Sequence, residues 1–411
     1  MLSAYTARVR RAGAATSRPN WWFVLLAGTA INILACVPPA TAQTCTPINN
    51  VTDLQNINEN LSGNYCLTQD IDASATAGWN GGAGFVPIGN FTTNFTGTFD
   101  GQGHTISNLF VNPATAYDFV GLFGDVAYSG AIANVGLIGG SVSGSYSEVG
   151  ALVGSNSGTV SRSYATATVS GGSYSESVGG LVGFNFGTVS RSYATGTVSG
   201  GGSFTCGFGC SVNSSAAGLV GYNVGTVTQS YATGAVGGSY YVGGLIAYNA
   251  TGGIVSQSYA TGAVNGSAAY TAGGLVGVNY NYVSQSYATG AVSGGGAVIG
   301  GTSVGGLVGF NYSQVVQSYA TGAVSDTSCA SCVAGGLVGD NWSDGNVASS
   351  YWDTTTTGQA SGAGANFGAF IATGLTTAQF QSGLPSGFRL EPIFIPRNNL
   401  IPMQPQPQLS A

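Results

Sequence analysis

The chain has 411 residues, of which only 5% are charged and 69 are glycine, and its formal net charge at pH 7 is −6. Lysine is absent and acidic residues outnumber basic ones by 14 to 8, which argues against nucleic acid and anionic lipid as partners, because both are held mainly by basic side chains. With 44% hydrophobic residues the chain can bury a core, and its many Val, Thr and Tyr residues indicate an all-β protein.

Residues 1–42 have the pattern of a signal peptide. A leader with four arginines precedes an apolar stretch from Trp21 to Ala35, and Ala40-Thr41-Ala42 offers a small-residue cleavage site before Gln43. At about 15 residues the apolar stretch is shorter than the roughly 20 that a spanning helix needs. We therefore expect an exported mature chain without an integral membrane span, with 4 Arg against 14 acidic residues and a formal charge of 4 − 14 = −10.

An alternative processing site lies at the end of the apolar stretch. The segment "ILAC" (33–36) loosely resembles the lipobox of bacterial lipoproteins, which would place a lipid anchor on Cys36. Leu34 fits that pattern poorly, so the signal-peptide interpretation is preferred.

The remaining six cysteines are arranged as local pairs. In an exported chain this spacing predicts three disulfides, Cys45–Cys66, Cys206–Cys210 and Cys329–Cys332. A zinc site shared by the last two pairs is rejected, because these pairs lie four repeats apart and stacked strands are separated by about 4.8 Å each. No metal or cofactor is expected.

Residues 43–118 are predicted to form an N-terminal cap and the first coils of the fold described below. They contain the only histidine, His104, in "DGQGHTI". This segment resembles the first-coil motif of right-handed β-helix proteins such as pectate lyases, which implies a structural role. Asp100 and His104 could instead form an acid–base pair, but that would require a substrate cleft around them.

Residues 119–353 consist of repeats of a Gly-rich unit, with a weak first copy at 121–144. Successive Tyr residues are 29, 38, 28, 28, 32 and 32 positions apart, and a period of this size is typical of stacked repeats. The repeated Tyr positions are Tyr164, Tyr193, Tyr231, Tyr259, Tyr287, Tyr319 and Tyr351. The Asn residues upstream of them are Asn156, Asn185, Asn223, Asn249, Asn279, Asn311 and Asn341.

The unit predicts a parallel β-solenoid of about eight such coils plus N-terminal coils. Frequent Gly excludes helical repeats, and "LVGFN", "TVSRSYA" and "TVSG" read as three short strands per coil. We expect a right-handed winding, with Leu181, Val189, Ala194 and Val198 pointing inward. The Asn column is expected at left-handed corners with stacked amides, whereas the Tyr column could lie inside or outside.

The consensus "GGLVGxNxGxVSxSYATGxVSG" resembles the GLUG repeat of bacterial surface and secreted proteins, including filamentous-haemagglutinin-like adhesins. The flanking segments "FTGTFDGQGHTISNLFV" (95–111) and "SSYWDTTTTGQ" (349–359) resemble those that flank GLUG repeats. The resemblance implies a role in surface attachment or as a stalk. Residues 354–411, predicted as a C-terminal cap and a partly disordered Pro-rich tail, depart from the usual family ending.

Candidate chemical sites have simpler structural interpretations. Asp118, Asp125, Glu148 and Glu176 lie near variable loops without sharing a repeat position, although Glu148 and Glu176 come closest. This pair, and Asp340 with Asp344 in "DNWSDGN", could bind a cation weakly, but we expect solvated loop acids. "GTSVG" (301–305) matches a hydrolase motif but lacks its strand–turn–helix context. Arg162 and Arg191 occupy one repeat position and are predicted to form a solvated corner.

The leading hypothesis is an exported, non-enzymatic, adhesin-like module that binds a host or cell-surface glycan or protein. In this hypothesis the Asn and Tyr columns stabilise the fold and do not form a ligand site. The alternative is a polysaccharide-active lyase or hydrolase on the same scaffold, which should concentrate acids, His or Arg on one face.

Overall fold

A computed structural model describes residues 45–113, 119–145, 148–172, 175–201, 204–206, 210–212, 214–238, 240–266, 269–295, 302–326 and 332–383. In residues 204–206 and 210–212 only the backbone is described. The predicted signal peptide (1–42), Cys36, Asp118 and the tail (384–411) lie outside these residues. The described chain is almost entirely β and forms a solenoid in which each coil pairs in parallel with the next, which confirms the predicted fold class.

One coil of the solenoid contains five short strands. In the coil that holds Asn185 these are Ser177–Gly179, Val182–Asn185, Thr188–Ser190, Tyr193–Ala194 and Val198–Ser199. The sequence predicted three strands, and the difference has two causes. The Gly-rich segment before "LVG" is itself extended, and "TVSRSYA" is divided by a sharp bend.

Two of the four parallel sheets come from the first half of the coil. Sheet 1 consists of Phe119–Val120, Glu148–Gly150, Ser177–Gly179, Ser215–Ala217, Tyr241–Gly243, Thr271–Gly273, Ser303–Gly305 and Val333–Gly335. Sheet 2 consists of Phe123–Val126, Val153–Asn156, Val182–Asn185, Val220–Asn223, Ile246–Asn249, Val276–Asn279, Val308–Asn311, Val338–Asn341 and Ala363–Asn366.

Sheet 3 is bent and has two arms. Its first arm contains Thr46–Ile48, Asn64–Leu67, Thr98–Asp100, Ala131–Ala133, Thr159–Ser161, Thr188–Ser190, Thr226–Thr228, Ile254–Ser256, Tyr282–Ser284 and Gln314–Val316. Its second arm contains Ile71–Asp72, Thr105–Ser107, Gly136–Ile138, Tyr164–Ala165, Tyr193–Ala194, Tyr231–Ala232, Tyr259–Ala260, Tyr287–Ala288 and Tyr319–Ala320. The longer strands Asn346–Asp353 and Ala369–Leu375 pair with each other along both arms.

Sheet 4 closes the coil. It consists of Phe110–Val111, Ser141–Gly144, Thr168–Gly171, Val198–Ser199, Val236–Gly237, Val264–Gly266, Val292–Gly294 and Val324–Asp326. An antiparallel hairpin, Phe204–Cys206 with Cys210–Val212, is inserted between two coils and places Cys206 opposite Cys210.

The N-terminal coils are less regular than the repeats. Helix α1 (Val51–Gln55) begins at Asn50, whose side chain accepts hydrogen bonds from two backbone amides of the first turn. It continues into a 3-10 helix, Asn56–Glu59, and a second 3-10 segment spans Ser74–Gly82. A disulfide joins Cys45 to Cys66, which fixes the first strand to the second.

Small apolar side chains fill the solenoid between the sheets. Leu181, Val189, Ala194 and Val198 are all buried, as predicted from the repeat. The turn that precedes Leu181 requires glycine, because a Cβ on Gly180 would lie 2.1 Å from the carbonyl oxygen of Gly218 in the next coil.

The bend in sheet 3 is formed by residues other than the expected Asn column. The Asn side chains belong to sheet 2 strands, and none of the Asn residues from Asn156 to Asn341 has a positive φ. In the repeats from residue 156 onward, the left-handed non-Gly residues have φ between 48° and 51° and lie at the bend: Arg162, Arg191, Gln229, Gln257, Gln285, Gln317 and Ser349. The prediction that the Asn column occupies left-handed corners was therefore wrong, and the solvated corner of Arg162 and Arg191 is where the bend occurs.

The described chain ends with helix α2 (Thr377–Gln381). Its capping residue, Thr376, and Gln379 bond each other's backbone amides in a capping box. Phe380 is buried and packs 6.0 Å from Tyr319, between ring centroids. The helix therefore covers the last part of the Tyr column.

Candidate functional site

A continuous ladder of amides runs inside the solenoid. Each Asn donates from Nδ2 to Oδ1 of the Asn in the next coil, at 2.8 to 2.9 Å, from Asn156 to Asn341. All seven side chains are completely buried. Most of these Nδ2 groups also donate to a backbone carbonyl of the following turn, as Asn223 does to Gly225 at 3.1 Å. Burial without such bonds would be costly, so the ladder stabilises the stacking of the coils.

The amide ladder has two distinct ends. It extends one coil past the predicted column, because Asn341 donates to Oδ1 of Asn366 at 2.8 Å. At the other end Oδ1 of Asn156 is buried without a partner among the described residues. The cause is the preceding coil, which has Val126 at the matching position and therefore offers no donor.

A second polar ladder was missed by the sequence analysis. Ser163, Ser192, Ser230, Ser258, Ser286, Ser318 and Ser350 follow the left-handed residues and are buried. In each pair the backbone N–H of one Ser donates to Oγ of the next, at 3.2 to 3.3 Å. Each Oγ also donates to the carbonyl two residues earlier, as Ser192 does to Ser190 at 2.9 Å. This local bond closes the bend, which explains why the residue between must be left-handed.

The Tyr column lies on the outer side of sheet 3. Along each short strand the Ala that follows the Tyr points into the core, as Ala194 does after Tyr193, so the Tyr side chain points outward. Successive rings from Tyr164 to Tyr287 are nearly parallel, with centroids 4.7 to 4.9 Å apart. Close stacking buries the rings partly and raises the pKa of Tyr231 to about 12. The column therefore has one equivalent member per coil, as a structural ladder requires.

A second set of aromatic side chains covers sheets 1 and 2 on the outside, and we call it the aromatic face. Unlike the Tyr column, its members occupy several repeat positions, mainly the residues directly before and after the ladder Asn. The aromatic face consists of Phe184, Phe186, Tyr222, Tyr240, Tyr241, Tyr248, Tyr270, Tyr280, Phe310, Tyr312 and Trp342. An alignment of the repeats on their Asn residues would have made this set visible in the sequence.

Rings of the aromatic face contact each other along several coils. Tyr222 stacks 4.7 Å from both Phe184 and Tyr248, and Tyr280 stacks 4.2 Å from Tyr312. Phe186 is 56% exposed and Trp342 is 42% exposed. Burial raises the pKa of several Tyr residues here, Tyr222 and Tyr270 among them. The face is therefore an extended apolar surface with phenol groups along it.

Asp340 adds a carboxylate to the aromatic face. It occupies the same outward column of sheet 2 as Phe310, the residue directly opposite it in the neighbouring strand. Its Oδ1 is shielded from solvent and has no hydrogen-bond partner in the described part of the chain, and burial raises the pKa of the carboxyl. Asp344, on the following turn, is exposed.

The structure does not bring Asp100 and His104 together as a pair. Nδ1 of His104 lies 3.3 Å from Oδ1 of Asp70, and Asp100 accepts a hydrogen bond from Nδ2 of Asn134 at 2.9 Å. Oδ1 of Asp70 also accepts from the backbone of Thr105, which lowers the pKa of Asp70. These contacts link the N-terminal coils to each other.

The other acids considered from the sequence lie in different surroundings. Asp125 is buried and bonded to Asn94 and Ser155, and desolvation raises its pKa. Glu148 is half-buried in sheet 1 opposite Ser177, whereas Glu176 is exposed and precedes the sheet. Glu148 and Glu176 therefore do not occupy equivalent positions on adjacent coils.

The hydrolase-like motif lies in a strand of the solenoid, and one of its neighbouring cysteines is disulfide-bonded. Ser303 of "GTSVG" is the first residue of a parallel strand, between Thr271 and Val333, and not part of a strand–helix turn. Cys332 is disulfide-bonded, while Cys329 lies outside the described residues. Across the described ranges, no group of three or more His, Cys, Asp or Glu could hold a metal ion.

Comparison with known proteins identifies the repeat. The family described as the GLUG motif matches residues 174–199 and 238–265, so the chain carries GLUG motifs. Halomucin of Haloquadratum walsbyi is 52% identical over 102 residues, which is 24% of this chain and 1% of halomucin. A protein of Evansella cellulosilytica, named as a candidate Gly-rich membrane protein, is 35% identical over 94 residues, 22% of this chain and 11% of that protein. The chain therefore spans only a small part of these relatives.

Solved structures with a similar course of the chain were also found. A candidate immunoglobulin A1 protease from Bacteroides ovatus has a TM-score of 0.45 at 18% identity, covering 83% of this chain and 87% of that one. A second structure, an IgA1 protease, has a TM-score of 0.48 at 17% identity, covering 66% of this chain and 21% of that one. Neither likeness bears on activity.

No helix among the described residues is long and apolar enough to cross a membrane.

Proposed function

We propose that this chain is an exported, non-enzymatic β-solenoid that serves as an attachment or structural module at the cell surface. The chain supplies a stiff scaffold, and its outer faces supply the contacts. The leader of residues 1–42 supports export, and the GLUG motifs and the relative named as a membrane protein support a surface position.

The observation that carries the proposal is the continuity of the internal ladders. Asn and Ser side chains are bonded coil to coil through the repeats, so the buried polar groups of the repeat are used for stacking. The acids considered for catalysis lie apart: Asp125 is bonded within the structure, and Glu176 is exposed. A polysaccharide lyase or hydrolase needs acid and base groups converging on one bound sugar.

The proposal is tested with the exported protein. Intact mass and N-terminal sequencing of material from the culture and the envelope should give a chain that begins at Gln43 without lipid. A diacylated Cys36 would contradict the predicted processing, and protein retained in the cytoplasm would contradict the proposed location.

Attachment and turnover are measured on the same preparation. Labelled protein should bind intact cells or an immobilised glycan or protein array, and polysaccharides incubated with it should show no new reducing ends or unsaturated products. Turnover of any polysaccharide would refute the non-enzymatic proposal and favour the enzyme alternative.

A further inference from the structure

The C-terminal part of the aromatic face contains a carboxylate with aromatic rings on one side and a small side chain on the other. Asp340 lies opposite Phe310 in one neighbouring strand and opposite Ala365 in the other. The side chain of Ala365 is only a methyl group, so Asp340 is the last member of this column with a longer side chain. The exposed indole of Trp342 follows two residues later, directly after the strand ends at Asn341.

The rings beside Asp340 form a cluster. The centroid of Phe310 lies 4.8 Å from that of Tyr312, 5.8 Å from that of Trp342 and 6.4 Å from that of Tyr270. Tyr312 and Trp342 are 5.7 Å apart with their planes 22° from parallel. The charge of Asp340 contributes to the raised pKa of both Tyr270 and Tyr312, which places the carboxylate near their phenols.

The surroundings of Asp340 favour a positive charge that the described chain does not provide. Ring faces carry negative partial charge, so they attract cations and do not stabilise an anion. Oδ1 of Asp340 is shielded and has no donor among the described residues. The only Arg residues described are Arg162 and Arg191, which lie at the bend of sheet 3 in other coils, and Nε of Arg191 donates to Gln229.

We propose that Asp340 and the rings of Tyr270, Tyr312 and Trp342 bind an arginine side chain of a partner protein. A guanidinium is planar, donates charge-assisted hydrogen bonds to a carboxylate, and stacks on aromatic faces. Lysine shares the charge but not the stacking, and an anionic partner is repelled. The inference deepens the proposed attachment role, on which its biological meaning rests, by naming the partner chemistry.

The test uses N-acetylargininamide as the probe and N-acetylcitrullinamide, its neutral isostere, as the control. Binding to the mature protein is followed by the indole N–H NMR signal of Trp342, assigned with Trp342→Phe. The arginine probe should shift this signal and the citrulline probe should not. Asp340→Asn should weaken binding on the order of tenfold or more, because it removes the charge while keeping the shape. Asp344→Asn, an exposed neighbour, should bind like the wild type.

Several outcomes would overturn the site. Equal binding of the two probes would show an apolar surface without charge selectivity, and unchanged binding by a folded Asp340→Asn variant would exclude the carboxylate. Asp340→Ser provides a second variant if Asp340→Asn does not fold. The tail, outside the described residues, contains two further arginines, Arg389 and Arg397. Binding by an Arg389→Gln or Arg397→Gln variant, but not by the wild type, would assign the site to this tail and refute a partner. Binding to phosphatidylcholine vesicles, but not to the arginine probe, would assign it to a lipid headgroup.

The site and the proposed function fail separately. Arginine binding that depends on Asp340, in a protein that attaches to no surface, would refute the attachment role and retain the site. Attachment that Asp340→Asn leaves unchanged, together with no arginine binding, would refute the site and retain the role.

Discussion

The Asn ladder and the aromatic face lie on opposite sides of the same strands of sheet 2, yet they differ in regularity. Inside, every coil from Asn156 to Asn341 has the same side chain, bonded in the same way. Outside, the column beside it holds Phe184, Tyr222, Tyr248, Val278, Phe310 and Asp340 in successive coils. A position that must stack on itself cannot vary, whereas an outward position can vary without disturbing the fold.

The comparison indicates where function resides in a repeat protein of this type. Uniform columns are explained by nearest-neighbour stacking, since each coil contributes to stability through its interfaces with the two adjacent coils. Departures from uniformity on the surface are not required by stacking. The predictions below distinguish uniform from variable columns by how much the unfolding free energy changes when one member is replaced.

The largest effect is expected for Asn223→Ala. The change leaves one N–H of the Asn185 amide without its ladder acceptor, while the other still donates to Gly187, and it leaves Oδ1 of Asn249 without its donor. Both groups lie in buried surroundings. At about 1–3 kcal/mol per unsatisfied group, the loss in unfolding free energy is roughly 2–6 kcal/mol. Chemical denaturation measures it, with the exposed Thr197→Ala as a control that should change little. Unchanged stability together with lost attachment would make the ladder a ligand site.

Tyr231→Ala should have the next largest effect. Its ring stacks 4.7 Å from both Tyr193 and Tyr259, and two aromatic pairs contribute about 1–3 kcal/mol beyond the buried area. Tyr231→Phe keeps both stacks and should cost little. The matched change on the aromatic face, Phe186→Ala, removes a side chain that is 56% exposed and should cost under about 1 kcal/mol. If Phe186→Ala lowered the unfolding free energy more than Tyr231→Ala, the distinction between a stabilising Tyr column and a variable aromatic face would be wrong.

The open end of the Asn ladder gives a finer test. Val126→Thr places a hydroxyl opposite Asn156, whose Oδ1 lacks a donor, while Val160→Thr buries a hydroxyl at an equally inaccessible core position. Burial of an unpaired hydroxyl costs about 1–3 kcal/mol, so Val126→Thr should be less destabilising by about 1 kcal/mol. Thermal melts of both variants measure the difference. Equal losses would mean that Asn156 Oδ1 is already satisfied.

The smallest effect concerns the pH dependence of Asp340. Its pKa is raised above the ordinary 3.8, so the folded chain ionises less readily than the unfolded chain and the carboxyl destabilises the fold above that pH. Asp340→Asn should therefore raise the unfolding free energy at pH 7, by less than about 1 kcal/mol because the group is only half-buried, and thermal melts across pH measure this gain. The gain should vanish below about pH 3.8, where Asp340 is protonated in both states. A gain that persists at low pH would indicate a cause other than charge.

Sequence reasoning identified the features that repeat. The Asn and Tyr positions, the inward-pointing apolar residues and the parallel stacking all follow from a period that recurs with the same residue types, because stacking requires identical neighbours. The Cys45–Cys66 disulfide likewise followed from its spacing in a chain predicted to be exported.

Three features of the structure were not predicted from the conformational preferences of the residues or from the repeat: the bend in sheet 3, the side on which the Tyr column lies, and the aromatic face. Arg and Gln have no preference for the left-handed conformation, so Arg191 and Gln229 are held there by the bonds that Ser192 and Ser230 make across the bend. Whether the Tyr column lies inside or outside depends on which residue of the strand after the bend points toward the core. That strand has only two residues, as in Tyr193–Ala194, so its sequence shows no alternation from which the inward side could be predicted. The aromatic face was missed because its members are shared among several repeat positions.

The direction of the Asn ladder has a consequence for how such chains change in length. Every Asn brings one donor toward the next coil and one acceptor for the previous coil, from the orphan Oδ1 of Asn156 to the exposed Asn366. Duplicating or deleting a whole coil therefore leaves the number of unmatched groups unchanged, and only the two ends carry them. Copy number can drift without a penalty per added unit, so arrays of very different length can arise from one unit by recombination between its copies.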